Sequence, residues 1–234
     1  KIVYGEPAQP KQADLGKLTS AELVGLQTHA NEWQARHGRR ILQERLAKGR
    51  ETPQSLARLI EEFTKPRSGG TAAKLTSEHM VRLLFTGFVA GQFDDDALAQ
   101  LLVTSADENV RALAARLAVE RRAGSPVVQQ ALAKAAERDP SAFVRLHVAS
   151  ALQRVPVEQR WPAATALVGH AEDASDANLP LVVWYAIEPL AGRSPRKAIE
   201  LVATAKAPLI REYLSRRLIA VYESAGAERG SSAW

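Results

Sequence analysis

Apolar residues recur at helical spacing along most of the chain, and most of these runs begin after a helix-capping signal. In TSAE from Thr19, Glu22 follows three residues after the threonine, which is the spacing of a capping box. Proline follows a capping residue in Thr52-Pro53, Ser125-Pro126 and Asp139-Pro140. The pattern predicts twelve helices in six antiparallel pairs: 19–29 with 31–47, 52–63 with 76–89, 94–103 with 107–121, one from 125 with 139–154, 156–171 with 178–191, and 195–206 with 208–224.

An arginine stands about one turn after the start of four of these segments, at Arg36, Arg111, Arg145 and Arg211. The three intervals between them are close to two, one and two copies of a period in the mid-thirties. That is the size of a paired-helix repeat unit, and such pairs bury their apolar faces by stacking on their neighbours. The sequence therefore predicts an all-α fold, a right-handed α-α superhelix (a HEAT-like solenoid) of about six antiparallel helix pairs.

The two ends of the chain do not share the repeat pattern. Residues 1–4 alternate as a short strand would, and residues 5–17 are rich in Pro, Gln and Asp, which predicts a strand followed by a linker over 1–17. We expect one elongated helical domain over 18–226, a glycine-containing insertion over 65–73, and a flexible tail over 227–234. The start, KIVYGEPAQP, has neither an initiator methionine nor a signal peptide, so we expect a segment of a longer protein.

The composition excludes several kinds of chemistry but does not identify a function. The 234 residues contain no cysteine, which excludes disulfides, thiolate metal sites, cysteine nucleophiles and a CxxCH haem attachment within this segment. No window approaches the roughly 18 to 20 apolar residues that span a bilayer, so we expect no membrane insertion. The net charge of +5 permits contact with nucleic acid or an acidic partner but identifies neither.

Recognisable catalytic and ligand-binding motifs are missing from the sequence. The five histidines show no metal-ligand spacing, Ser, His and Asp form no nucleophile elbow, and Gly69-Gly70 lacks the context of a phosphate-binding loop. We therefore predict no catalytic, cofactor-binding or metal-binding residues and no bound cofactor.

The recurring arginines are the main candidate site. With Arg82 as a fifth member they form a predicted ladder along one edge of the stacked helices: Arg36, Arg82, Arg111, Arg145 and Arg211. Under the structural interpretation the arginines form ion pairs. Asp107 and Arg111 could pair within one helix, which would stabilise it by about 0.2 to 0.5 kcal/mol. Alternatively, Asp and Arg of successive repeats could pair with each other. The alternative is an anion-binding stripe for phosphate or carboxylate partners.

A second candidate is Glu188-Pro189 within LPLVVWYAIEPLA. Proline removes one helical hydrogen bond, so the helix should kink or end near Glu188, and Glu188 in this apolar context needs a partner such as an arginine. The aromatic residues at helical positions are expected to be buried, with a base-stacking or peptide-binding platform as the alternative; they are Trp33, Trp161, Trp184 and Tyr185.

Three segments carry a family resemblance: NEWQARHGRRILQER from Asn31, DPSAFVRLHVASALQRVPVEQRW from Asp139, and NLPLVVWYAIEPLA from Asn178. They resemble the HEAT-repeat region of the planctomycete and verrucomicrobial membrane-bound dehydrogenases, or PVC-type haem-binding CxxCH proteins. In that family a dehydrogenase-like β-propeller precedes the repeats and a cytochrome-c-like domain follows, and KIVYGEP resembles the closing strand of the propeller. The resemblance implies a periplasmic or extracellular oxidoreductase as the parent protein, but neither its activity nor haem binding for these residues.

Two functions follow as hypotheses. The preferred one is a non-catalytic HEAT-repeat scaffold that binds protein partners or positions neighbouring domains of the same polypeptide. The alternative is a basic nucleic-acid-binding solenoid, similar to the HEAT-like alkylpurine DNA glycosylases. A DNA-binding groove gathers Lys and Arg on one face, whereas the basic residues here are interleaved with Asp and Glu along most helices, which disfavours nucleic acid.

Overall fold

The computed structural model describes residues 14–64, 75–120 and 125–231, with side chains described as far as residue 224. Over these residues the chain is all-α and contains no strand. Each of the twelve predicted helices has a counterpart. They are α1 (Ser20–Gly25), α2 (Glu32–Ala47), α3 (Pro53–Thr64), α4 (Ser77–Val89), α5 (Asp95–Thr104), α6 (Glu108–Ala118), α7 (Pro126–Arg138), α8 (Ala142–Leu152), α9 (Trp161–Val168), α10 (Leu179–Arg193), α11 (Pro195–Thr204) and α12 (Pro208–Ser231).

Local capping explains where most helices begin. Thr19 and Glu22 form the expected capping box at α1, since the Glu22 carboxylate accepts from the Thr19 backbone N–H at 2.7 Å. At α5 the Asp94 carboxylate accepts from the backbone N–H of Ala97 at 2.8 Å. Each cap satisfies backbone donors that the first helical turn leaves unpaired.

The chain divides into two compact units, and the boundary between their described residues lies between Gln92 and Phe93. In the first unit α1 packs against α2 and α3, and α4 packs against α2 and α3. Leucines supply much of the shared interior, including Leu23, Leu42 and Leu56, which have no exposed surface. Gly38 allows α1 and α2 to approach closely, because a Cβ there would lie 3.3 Å from the Leu23 carbonyl oxygen.

The second unit contains four helix pairs whose members contact their counterparts in the next pair. The first helices pack in succession, α5 on α7, α7 on α9 and α9 on α11. The second helices do the same, α6 on α8, α8 on α10 and α10 on α12. Alanine fills much of the interface between them, at Ala114, Ala115, Ala136, Ala149, Ala164 and Ala186, each with no exposed surface. The buried leucines and alanines therefore lie between neighbouring helices, as stacked pairs require.

Several boundaries differ from those predicted. The predicted helix 156–171 is reduced to α9, Trp161–Val168, flanked by short 3₁₀ helices at Val157–Gln159 and Glu172–Ser175. Pro162 explains the late start, because proline fits the first turn of a helix but not its interior. Helix α12 continues to Ser231 and so enters the predicted tail 227–234. Three predicted segments lie wholly or partly outside the described residues: the last three residues of the tail, residues 1–13 of the predicted strand and linker, and the predicted insertion 65–73.

Candidate functional site

The clearest repeated feature of the second unit is a clamp between Arg111 on α6 and Asp139, which follows α7. The Arg111 Nε and Nη2 atoms donate to Oδ2 and Oδ1 of Asp139 at 2.7 and 3.0 Å. Its Nη1 atom donates to the carbonyl oxygens of Ser105 and Ala106 at 2.9 and 3.1 Å. The guanidinium thus holds the loop before its own helix and the end of the next pair's first helix.

The same clamp recurs between Arg145 on α8 and Asp173. Nε of Arg145 donates to Oδ2 at 2.7 Å, and Nη2 donates to Oδ1. Nη1 donates to the carbonyl oxygen of Asp139 at 2.7 Å, six residues before the arginine, just as Ser105 stands six before Arg111. The step from Arg111 to Arg145 equals the step from Asp139 to Asp173, so the clamps follow the predicted repeat period.

Hydrogen bonds to carboxylates keep these arginines charged, against the opposing effect of burial on their pKa. Arg145 is 3% exposed, and Asp139 and Asp173 are also buried. Hydrogen bonds to Asp139 and Asp173 are the main reasons that the pKa of Arg111 and of Arg145 is raised. The bidentate edge of each guanidinium is already filled by an internal carboxylate, which favours the structural interpretation of these two arginines over anion binding.

The charge of Asp107 contributes to the raised pKa of Arg111, but the bidentate edge of the guanidinium is occupied by Asp139. The Asp107 carboxylate caps α6 by accepting from the backbone N–H groups of Asn109 and Val110 at 2.8 and 3.2 Å. The ion pair of Arg111 is instead formed with Asp139, which is 28 residues further along the chain. The ion pair therefore joins successive helix pairs, as expected if Asp and Arg of successive repeats pair with each other.

Arg82 lies in the first unit and is also buried. Its Nη1 atom donates to the carbonyl oxygen of His29 at 2.9 Å, and its Nη2 atom forms ion pairs with Glu32 and Glu78. The acids therefore come from helices α2 and α4, and not from a loop after the next pair. Arg82 resembles the clamps in holding a backbone carbonyl but differs in its acidic partners.

The remaining members of the predicted ladder are exposed. Arg36 pairs with Glu32 one turn earlier in α2, with Nε and Oε1 2.9 Å apart. Arg211 lies exposed near the start of α12. The five predicted arginines therefore comprise three inward-facing side chains and two exposed ones.

One buried arginine, Arg160, was missed from the sequence. It donates to the carbonyl oxygens of Val155, Ala186 and Gln153 at 2.8, 2.9 and 3.1 Å. Burial is the main reason that its pKa is lowered. It falls outside the recurring arginine series and its partners are backbone atoms, so no side-chain pattern could indicate it.

Glu188 and Pro189 lie inside α10, which continues to Arg193, so the helix does not end near Glu188, and the alternative of a kink there stays a prediction. Glu188 is only partly buried and has the expected arginine partner: its Oε1 lies 2.6 Å from Nε of Arg217 on α12. The Arg217 Nε–H forms no hydrogen bond, so this contact is an ion pair without hydrogen-bond geometry. It joins α10 to α12.

The aromatic residues are more exposed than expected. Trp33 is 56% exposed and stacks on His37 at a centroid distance of 3.9 Å, while Tyr185 is 59% exposed. Trp161 and Trp184 are partly buried, with Lys197 over the Trp161 ring at 4.5 Å and Tyr213 edge-on to Trp184 at 5.5 Å. Full burial of these four side chains is therefore wrong.

No family model, no curated protein and no solved structure matches the chain. In residues 14–64, 75–120 and 125–231, no three His, Cys, Asp or Glu side chains are grouped so that they could hold a metal ion. None of the helices in those ranges is long and apolar enough to cross a membrane. The resemblance to the PVC-type proteins stays a prediction.

Proposed function

We propose that this chain is a non-catalytic, HEAT-like helical-repeat scaffold that positions protein partners or neighbouring domains of the same polypeptide. The observation that carries the proposal is the clamp of Arg111 with Asp139 and its repetition by Arg145 with Asp173. Each clamp fixes one helix pair to the next, and a scaffold needs that fixed spacing between its repeats.

The buried charges support a structural role. Within the described ranges the buried charged residues are Arg82, Asp139, Arg145, Arg160 and Asp173. Each of the three arginines donates to main-chain carbonyl oxygens, and both aspartates accept from arginines. Groups held in this way maintain the fold, whereas a general acid or base must face a substrate.

The resemblance supplies the context of the proposed scaffold. In that arrangement the repeats link a dehydrogenase-like β-propeller to a cytochrome-c-like domain, in a periplasmic or extracellular protein. The role of the repeats would be to set the distance between the two domains, which determines whether electrons can pass between them.

The absence of cysteine allows a direct test of rigidity in the second unit. Arg116→Cys on α6 and Glu200→Cys on α11 place spin labels at two exposed positions. Pulsed electron–electron double resonance should give one narrow distance distribution, which Asp173→Asn should broaden. A broad distribution in the parent chain would contradict a spacer. Sub-micromolar, salt-dependent binding to duplex DNA would instead support the nucleic-acid-binding alternative.

A further inference from the structure

A groove of about 520 Å³ lies between α2 and α4 in the first unit. Its α2 wall is polar and mostly basic, formed by Arg36, Arg39, Arg40 and Gln43. Its α4 wall carries three half-buried apolar residues at intervals of four positions, Val81, Phe85 and Val89. Residues spaced by three or four share one face of a helix, so the groove has one basic side and one apolar side.

The charges that line the groove do not cancel. Four arginines and two glutamates line it, Arg36, Arg39, Arg40 and Arg82 with Glu32 and Glu78, which leaves a net charge of +2. Both glutamates are already paired with Arg82, and Glu32 also pairs with Arg36. Arg40 pairs with Glu44 across 3.3 Å at an exposed position, where such pairs are weak.

Arg39 is the guanidinium available to a ligand. None of the described side chains forms an ion pair with it, and its Cζ atom lies 5.3 Å from the centroid of the Phe85 ring. A guanidinium over an aromatic ring keeps its N–H donors for an acceptor at its edge. Partial burial lowers the pKa of Arg39, and an arginine remains protonated at neutral pH.

We propose that the α2–α4 groove binds an acidic, amphipathic protein segment, with carboxylates on Arg39 and Arg40 and apolar side chains against Val81, Phe85 and Val89. The proposal rests on the scaffold function proposed above and names the partner's chemistry. From Glu78 to Val89 the α4 wall is about 16 Å long at 1.5 Å per residue, enough for about three turns of a bound helix.

The same walls disfavour nucleic acid at this groove. Glu32 and Glu78 face either kind of anionic ligand, so the apolar strip of α4 makes the distinction. A phosphate backbone would leave that strip without a complementary surface. A protein segment with acidic and apolar sides satisfies both walls at once.

The test uses the whole chain and a fluorescein-labelled helical peptide with Glu along one side and Leu along the other. Fluorescence anisotropy should show binding that weakens with salt. Arg39→Ala should weaken it at least about tenfold, which corresponds to losing a charge-assisted contact, and Arg39→Lys should recover only part of it because lysine lacks the bidentate edge. Arg116→Ala, which removes the same charge from the exposed face of α6, should leave binding unchanged.

Four results would overturn the proposal: no binding of the peptide, equal binding of a peptide with Gln in place of Glu, equal weakening by Arg39→Ala and Arg116→Ala, or competition by duplex DNA at the peptide's own affinity. Circular dichroism of each variant verifies folding. The spin-label distances report on the second unit alone, so a failed peptide experiment and a failed scaffold experiment are distinguishable.

Discussion

Breaking the clamp between Arg145 and Asp173 should be one of the most costly single changes of charge in the second unit. Asp173→Asn keeps the shape of the side chain but leaves the Arg145 guanidinium, 3% exposed, without its bidentate carboxylate. Removing one partner of a buried ion pair costs about 3 to 5 kcal/mol. Glu172 can offset part of this, since its Oε1 lies 3.5 Å from Nη2 of Arg145, so we expect a loss of about 3 kcal/mol.

A matched control comes from an exposed ion pair between two other neighbouring helix pairs, α5–α6 and α7–α8, one step earlier in the second unit. Glu120 and Arg154 have Oε2 and Nη1 2.6 Å apart, with side chains 41% and 55% exposed. Glu120→Gln should cost at most about 1 kcal/mol, because exposed pairs are screened by water and salt. Arg145→Met with Asp173→Leu should be less destabilising than Asp173→Asn, since no buried charge is then left alone.

Urea denaturation followed by circular dichroism measures these differences, with the slope of each transition compared first to verify that the same surface unfolds. A loss of about 3 kcal/mol corresponds to a fall in Tm of about 6 to 12 °C for a chain of this size. Equal losses for Asp173→Asn and Glu120→Gln would refute the reasoning, because burial would then have no effect on the value of the pair. The reasoning would also be refuted if the double variant, Arg145→Met with Asp173→Leu, were as unstable as Asp173→Asn.

Three further expectations concern packing, capping and pH. Gly38→Val should destabilise the first unit by about 1 to 3 kcal/mol in urea, because even the added Cβ would lie 3.3 Å from the Leu23 carbonyl oxygen; an unchanged midpoint would contradict this close approach. Asp94→Ala should cost about 1 kcal/mol by removing the α5 cap, whereas Asp94→Asn should keep most of it, and equal losses would contradict the capping role. Hydrogen bonds from the hydroxyls of Ser20 and Ser55 lower the pKa of Glu51, so its contribution to stability is present above the ordinary glutamate pKa and is lost as pH falls through the lower folded value. Carbon-detected NMR titration should show that lowered pKa, and Ser20→Ala should raise it; a titration unchanged by Ser20→Ala would contradict the cause.

Most of the twelve helices were predictable because their start signals are local. Thr19, Asp94 and Ser125 each bond a backbone N–H within three residues, so a short window of sequence contains the whole interaction. The two arginine clamps were partly predictable for a different reason. Arg111 and Arg145 stand one repeat apart, but the acids that bind them are 28 residues away, and the nearer Asp107 was the obvious local partner.

Long-range and backbone partners account for what the sequence did not indicate. Arg160 bonds carbonyl oxygens, which every residue possesses, so no residue type could mark its site. The exposure of Trp33 could have been found: Ala35, Gly38 and Leu42 form the buried face of α2 at helical spacing, and Trp33 lies close to the opposite side of the helix. Small residues mark the buried face of α2, and the size of an aromatic side chain does not by itself indicate burial.

The clamp has an implication for how such a chain can lengthen. A segment of one repeat period that begins at Arg111 also contains Asp139, and the next segment begins at Arg145 and contains Asp173. Tandem copying of such a segment would bring its own acid to each new arginine, so an added module would join its neighbours without any compensating substitution. Growth by duplication is then chemically simple, and the number of modules can change while the junction chemistry stays constant.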